Sequence, residues 1–133
     1  MNGEKGVVEL LRKAGYPEKA IDYYVWKLNV GVIEGADAVD SFMGLCGDSM
    51  RVYLKIEEGV IKDAKFQAIG CAGAFASGSA LTEMVKGKTL KEAKKITGHD
   101  VIKDLEGLPG PKLHCARLAI DALRKSIESY MKR

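Results

Sequence analysis

No apolar run in this chain approaches the ~18 residues needed to cross a bilayer. The opening Met1-Asn2-Gly3-Glu4-Lys5-Gly6 also lacks the apolar core of a secretory signal. No membrane association is therefore expected, and the reading is of a soluble, cytoplasmic protein. Charge of one sign is scarce as well: 21 Lys and Arg against 18 Asp and Glu leave a formal +3. The basic residues are scattered rather than gathered into a stripe with interleaved aromatics, so nucleic acid is not an expected partner. With only three cysteines, internal pairing cannot use them all. A reducing compartment keeps them as thiols, which leaves metal binding, sulfur chemistry or ordinary burial for each. The small-residue stretch from Ala72 to Ala80 lacks both the Gly-Lys-Ser/Thr ending and the GxGxxG order of nucleotide-binding loops. No nucleophile-base-orienter set appears, so an enzyme in the strict sense is not expected. Repeats, low-complexity tracts and linkers are absent too.

What is present suits one domain. A chain of 133 residues, 47% of them hydrophobic, can build a core. The expected division is an N-terminal helical segment, 1–28, and a core, 29–133. Val7, Leu10, Leu11 and Ala14 recur at helical spacing, Gly15 stops that helix, and Pro17 begins a second whose apolar face is Ile21, Tyr24, Val25 and Leu28. Glycines at 31, 35, 44 and 47 make the next stretch loop or short strand. Val52, Leu54 and Ile56 alternate with Arg51, Tyr53 and Lys55, Glu58-Gly59 supplies a turn, and Val60 to Ile69 resumes the period of two, which reads as an antiparallel hairpin. Ala74 to Lys86 reads as a helix closed by Gly87. Thr89 with Glu92 forms a capping-box pattern for a helix through Ile96. After the break at Leu108-Pro109-Gly110-Pro111, the residues Leu118, Ala119, Ala122, Leu123, Ile127 and Tyr130 give a C-terminal helix its face. The fold class is α+β, a small antiparallel sheet of about three strands packed against N-terminal and C-terminal helices.

Chemistry can reside at few places. Cys46 lies in Leu45-Cys46-Gly47-Asp48, where Gly47 lets the backbone turn a thiolate and a carboxylate toward one point; the same tetrapeptide equally describes a buried cysteine beside a turn aspartate. Cys71 follows a strand and precedes a helix, flanked by Gly70, Ala72 and Gly73, so amides and the positive helix end can favour its thiolate. Those small residues would also serve tight packing alone. His114 and Cys115 adjoin near the start of the last helix, with Lys112 nearby to favour negative charge; neighbours on a helix commonly point apart, so the pair can be incidental. None of the close Cys-x-x-Cys pairing of zinc ribbons or ferredoxins is present, but all three cysteines fall at junctions of elements, from which separate segments can converge. His99, in Thr97-Gly98-His99-Asp100, reads as a solvated residue at a helix start. Lys86 and Lys88 read as favourable charge at a helix C-terminus.

Taken in order, Asn29-Val30-Gly31, Cys46-Gly47-Asp48, Gly70-Cys71-Ala72 and Lys112-Leu113-His114-Cys115 resemble the motifs of the NifU/IscU family of iron-sulfur scaffold proteins, over about Asn29 to Tyr130. The resemblance implies that Cys46, Cys71 and Cys115 bind a transient 2Fe-2S cluster, with Asp48 or His114 as fourth ligand and Asp48 keeping the cluster labile. It implies de novo assembly from iron and sulfur, the sulfur arriving as a persulfide from a cysteine desulfurase. Cys115 is then the first acceptor, assisted by Lys112, and the cluster passes on to recipient apo-proteins. A homodimer around the cluster and zinc in the cluster-free form are compatible with it. The family's bacterial Leu-Pro-Pro-Val-Lys chaperone-docking motif is here Leu108-Pro109-Gly110-Pro111-Lys112, so docking of a dedicated chaperone does not carry over. The chain resembles the stand-alone scaffold rather than full-length NifU. The alternative is a zinc-binding sulfur acceptor of the SufU type, a branch that lacks a histidine before its last cysteine and has an insertion between the second and third. His114 and the compact spacing favour the scaffold.

Overall fold

The structure, a computed structural model, describes residues 2–44 and 47–132. Helix α1 (Asn2–Lys13) turns at Gly15, whose φ of +100° is open to glycine, into α2 (Glu18–Trp26). Arg12 clasps the corner, bonding Glu18 at 2.7 Å and also Glu9. Pro17 precedes α2 as its N-cap, in extended backbone, rather than opening its first turn. The helix stops two residues short of expectation because Lys27 is left-handed at φ 52°. Leu28 therefore lies beyond it, and its carbonyl accepts from Ser79 Oγ at 2.8 Å.

The glycine-spaced stretch does contain a strand, β1 (Ala38–Met43), which pairs antiparallel with β2 (Ser49–Glu57); β2 pairs antiparallel with β3 (Val60–Ile69), giving the order β1-β2-β3. Glu58 and Gly59 both have positive φ, the geometry of a tight hairpin turn that matches strand twist. Met50, Val52, Leu54 and Ile56 point into the core as the alternation requires. Tyr53, on the opposite face, is buried as well, its hydroxyl donating to Gln67 Oε1 at 2.7 Å. The outer edge of β3 is extended by Asn29-Val30-Gly31, since Gly31 N donates to Phe66 O at 2.8 Å and Phe66 N to Asn29 O at 3.0 Å.

Helix α3 (Ala72–Val85) packs on β3 and the long α6 (His114–Met131) on β1 and β2, while α2 lies on α3. Small residues in α3 let it approach closely: the Phe66 ring lies on Gly78, where a Cβ would stand 2.5 Å from the ring. The face expected for α6 is the buried one, with Leu118, Ala119, Ala122, Leu123 and Ile127 all within the core. Between them, α4 (Leu90–Lys94) and α5 (Gly98–Asp104) each begin with a complete capping box, Thr89 with Glu92 and Thr97 with Asp100. Helix α4 ends at Lys94, before Ile96. A short 3-10 turn (Gly110–Lys112) leads into α6. Among the described residues no helix is long and apolar enough to cross a membrane.

Candidate metal centre

Asp48, Cys71 and the His114-Cys115 pair come from three separate junctions that meet at one end of the sheet. Asp48 ends the connection from β1 to β2, a tight loop in which Gly44 N donates to Asp48 O at 2.7 Å and Gly47 adopts φ +86°. Its carboxylate packs against bare backbone: a Cβ at Gly44 would lie 2.9 Å from Asp48 Oδ1, and one at Gly70 would lie 3.1 Å from Asp48 Cβ.

Cys71 is the N-cap of α3. Its backbone carbonyl accepts from Ala74 N at 3.0 Å, and the amides of Ala74 and Gly73 also reach its sulfur. Burial pushes this thiol up, but those amides, the Cys115 thiol and Lys112 together outweigh burial and hold it below its ordinary value. Cys115 lies 3.7 Å away, sulfur to sulfur, and is fully buried. Burial first, and then the charge of Cys71, push it up to about 12; Lys112 acts in the opposite direction and is outweighed. The lysine read as the activator of Cys115 favours the thiolate at both sulfurs, but of this adjacent pair the thiol held low is Cys71 and the one pushed up is Cys115.

Although neighbours in sequence, His114 and Cys115 share the site, with Nε2 3.9 Å from Sγ. Asp48, His114 and Cys115 each offer a ligand atom within 4.8 Å of the other two. Their burial is graded: Cys115 is enclosed, Asp48 and Cys71 are half-buried, and His114 is exposed. An open hollow of about 400 Å³, bounded by Asp48, Gly70, Cys71, Lys112 and His114, gives access from solvent. Cys46 lies outside the described residues. His99 is exposed at the start of α5, apart from this cluster.

Sequence reasoning missed Tyr16. From the corner between α1 and α2 its side chain runs to the floor of the site, 7% exposed, with its hydroxyl beside Gly73. Burial, with Cys71 and Cys115, pushes its phenol up to about 12. The signal available was a tyrosine held between Gly15 and Pro17, which fixes a corner but names no destination. Gly73 was read as a small residue flanking Cys71, open to the approach of amides or to tight packing. In the fold a Cβ there would stand 3.1 Å from Cys115 Sγ and 3.4 Å from both the Tyr16 hydroxyl and Lys112 Cβ.

With this geometry in view, the chain matches the family model for the NifU-like N-terminal domain over residues 15–133. It is 47% identical over 119 residues to iron-sulfur cluster assembly scaffold protein IscU 1 of Archaeoglobus fulgidus, covering 89% of this chain and 78% of that protein. It is 45% identical over 120 residues to the iron-sulfur cluster assembly scaffold protein IscU of Escherichia coli K12, covering 86% and 93%. A crystal structure from Fervidobacterium islandicum AW-1, assigned to iron-sulfur cluster assembly for the SUF system, superposes with a TM-score of 0.72 at 27% identity over 84% of this chain and 96% of that one. The chain belongs to the NifU-like N-terminal domain family, to which the NifU/IscU motifs of its sequence pointed.

Proposed function

We propose that this chain is a scaffold for iron-sulfur cluster assembly and that positions 1–133 act as one cytoplasmic domain. The observation that carries the proposal is the convergence, from three junctions, of a thiol, an imidazole and a carboxylate onto one open hollow, with the buried Cys115 thiol 3.7 Å from that of Cys71. The scaffold function for which the relatives in Archaeoglobus fulgidus and Escherichia coli are named supports it. In this reading Cys46, Cys71 and Cys115 hold a 2Fe-2S cluster as cargo, and Asp48 or His114 completes the set. Thiolates suit iron-sulfide, whereas a hard carboxylate is a poorer partner, so Asp48 keeps the cargo exchangeable. Sulfur arrives as a persulfide from a cysteine desulfurase, with Cys115 its acceptor, and the finished cluster passes to apo-proteins. A second copy of the chain facing the hollow would supply a shared binding mode.

A zinc-holding sulfur acceptor is the competing reading, favoured by one observation: the Asp48, His114 and Cys115 donors form a mixed oxygen, nitrogen and sulfur set of the kind zinc accepts. Anaerobic reconstitution with iron, cysteine and a desulfurase separates the two. The scaffold gives visible absorption and Mössbauer spectra of a 2Fe-2S cluster, lost in Cys46→Ser, Cys71→Ser and Cys115→Ser. Persulfide uptake with zinc retained and no cluster would establish the competitor.

A further inference from the structure

Two sulfurs from different elements touch at this site: Cys71 Sγ, at the N-cap of α3, stands 3.7 Å from Cys115 Sγ in the first turn of α6. Two thiolates on one tetrahedral ion, at bonds of about 2.3 Å, lie about 3.8 Å apart. Joined to each other they lie about 2.05 Å apart, so from the observed spacing each sulfur has less than about 1 Å to move. One neighbour that could oppose the movement has no side chain, since a Cβ at Gly73 would stand 3.1 Å from Cys115 Sγ. The sulfurs are unequal in access. Cys71 borders the open hollow of about 400 Å³ together with Asp48, Gly70, Lys112 and His114, whereas Cys115 is fully buried. A small solute in the hollow therefore meets the Cys71 sulfur, with the enclosed Cys115 sulfur in contact beside it.

We propose that this thiol pair is a redox site in its own right: a hydroperoxide oxidises Cys71, and Cys115 resolves the product into an intramolecular disulfide. In the first step the Cys71 thiolate attacks the hydroxyl oxygen of the peroxide. An S–O bond forms, the O–O bond breaks, and the leaving alkoxide or hydroxide takes up a proton. In the second step Cys115 Sγ attacks the Cys71 sulfur. The S–S bond forms, the S–O bond breaks, and hydroxide leaves with the Cys115 proton as water. The two thiols lose two electrons and two protons in all, and the peroxide is reduced to water and an alcohol, or to two waters when it is hydrogen peroxide. A sulfenic acid with a thiol already 3.7 Å away condenses before a second peroxide reaches it, so the pair stops on the reversible part of the oxidation ladder. Once joined, both sulfurs are lost as metal donors until a dithiol reductant returns them. That loss rests on the reading of the two cysteines as ligands; the disulfide does not.

Reduced, metal-free protein is treated with stoichiometric hydrogen peroxide, blocked with iodoacetamide and digested without reduction. Peptide mass spectrometry should find the Cys71 and Cys115 peptides joined, two hydrogens lighter than their sum, and separated again by dithiothreitol. Cys46→Ser should form the same bond. In Cys115→Ala, dimedone should trap Cys71 as the sulfenic acid at least about tenfold more than in wild type, and in Cys71→Ala the Cys115 thiol should survive. Zinc uptake, read by chelator competition, should be lost in the oxidised protein and restored by dithiothreitol. Sulfinic acid at Cys71, a bond to Cys46 or between two chains in its place, or an unreacted pair overturns the proposal. A bond from Cys71 to Cys115 that leaves zinc uptake unchanged establishes the redox site and refutes the reading of the pair as ligands. Circular dichroism melts identify any variant that fails to fold, and the wild-type digest decides the bond without it.

Discussion

At the residue scale the site is built from what is missing as much as from its ligands. Gly44 and Gly70 present bare backbone to Asp48, and Gly73 presents it to Cys115. Alanine at Gly73 is favourable for a helix by about 1 kcal/mol, yet its methyl would press on the Cys115 sulfur. Gly73→Ala should therefore retain or raise the urea midpoint while lowering zinc affinity several-fold in a chelator competition; unchanged affinity would show that the site tolerates the crowding. The two thiols should also differ in reactivity. Cys71 borders the hollow with its thiol held low, whereas Cys115 is enclosed with its thiol raised. Iodoacetamide at neutral pH should label Cys71 at least about tenfold faster than Cys115, as read by peptide mass spectrometry. Cys71, Cys115, Asp48 and His114 were legible as candidates because each stands at an element junction. Their convergence was not legible, since sequence spacing says nothing of where junctions meet in space. Tyr16 was hidden for the same reason, its contacts lying more than fifty residues along the chain.

At the element scale, patterns of period and punctuation carried most of the information. The hairpin, its Glu58-Gly59 turn, the Thr89 capping box and the α6 face were all readable, because each rests on local geometry. Edge strand β1 was ambiguous: its neighbouring glycines resemble a loop, and a strand that pairs on one side has weak alternation. Tyr53 departed from the alternation because Gln67 satisfies its hydroxyl on the outer face. Helix α3 approaches β3 through Gly78, so Gly78→Ala sets a propensity gain of about 1 kcal/mol against a methyl 2.5 Å from the Phe66 ring. Overpacking costs typically about 1–3 kcal/mol, and we expect a net loss of stability by urea denaturation; a gain would mean that α3 can shift. The boxes add a pH dependence. Asp100 is held below its ordinary value, first by the Thr97 amide and then by the Thr97 side chain. A carboxyl lowered by folding contributes stability above its unfolded pKa, and that contribution is lost as pH falls through the folded value. Asp100→Asn should thus melt lower than wild type at neutral pH, with the two melting temperatures converging on acidification.

At the scale of the whole molecule, the candidate ligands are drawn from positions 48, 71, 114 and 115, and the residue beneath them from position 16, so the site exists only when the sheet, α3, α6 and the N-terminal corner are all assembled. An ion that binds the folded state alone raises stability by mass action, about 2.7 kcal/mol at a hundredfold excess over Kd. Zinc should therefore raise the melting temperature of wild type and do so much less in Cys71→Ser or Cys115→Ser. Equal stabilisation of all three would place the ion elsewhere. The graded burial, from enclosed Cys115 to exposed His114, leaves the site open on one side, as release would require in the proposed scaffold role.

Cluster transfer tests the central claim most directly. Wild type loaded with a 2Fe-2S cluster is mixed anaerobically with an apo-ferredoxin, and circular dichroism follows the cluster into the recipient, with Asp48→Ala alongside. The account predicts complete transfer from wild type and markedly slower release from Asp48→Ala. A protein that forms no cluster, or forms one that stays on both variants alike, would contradict it.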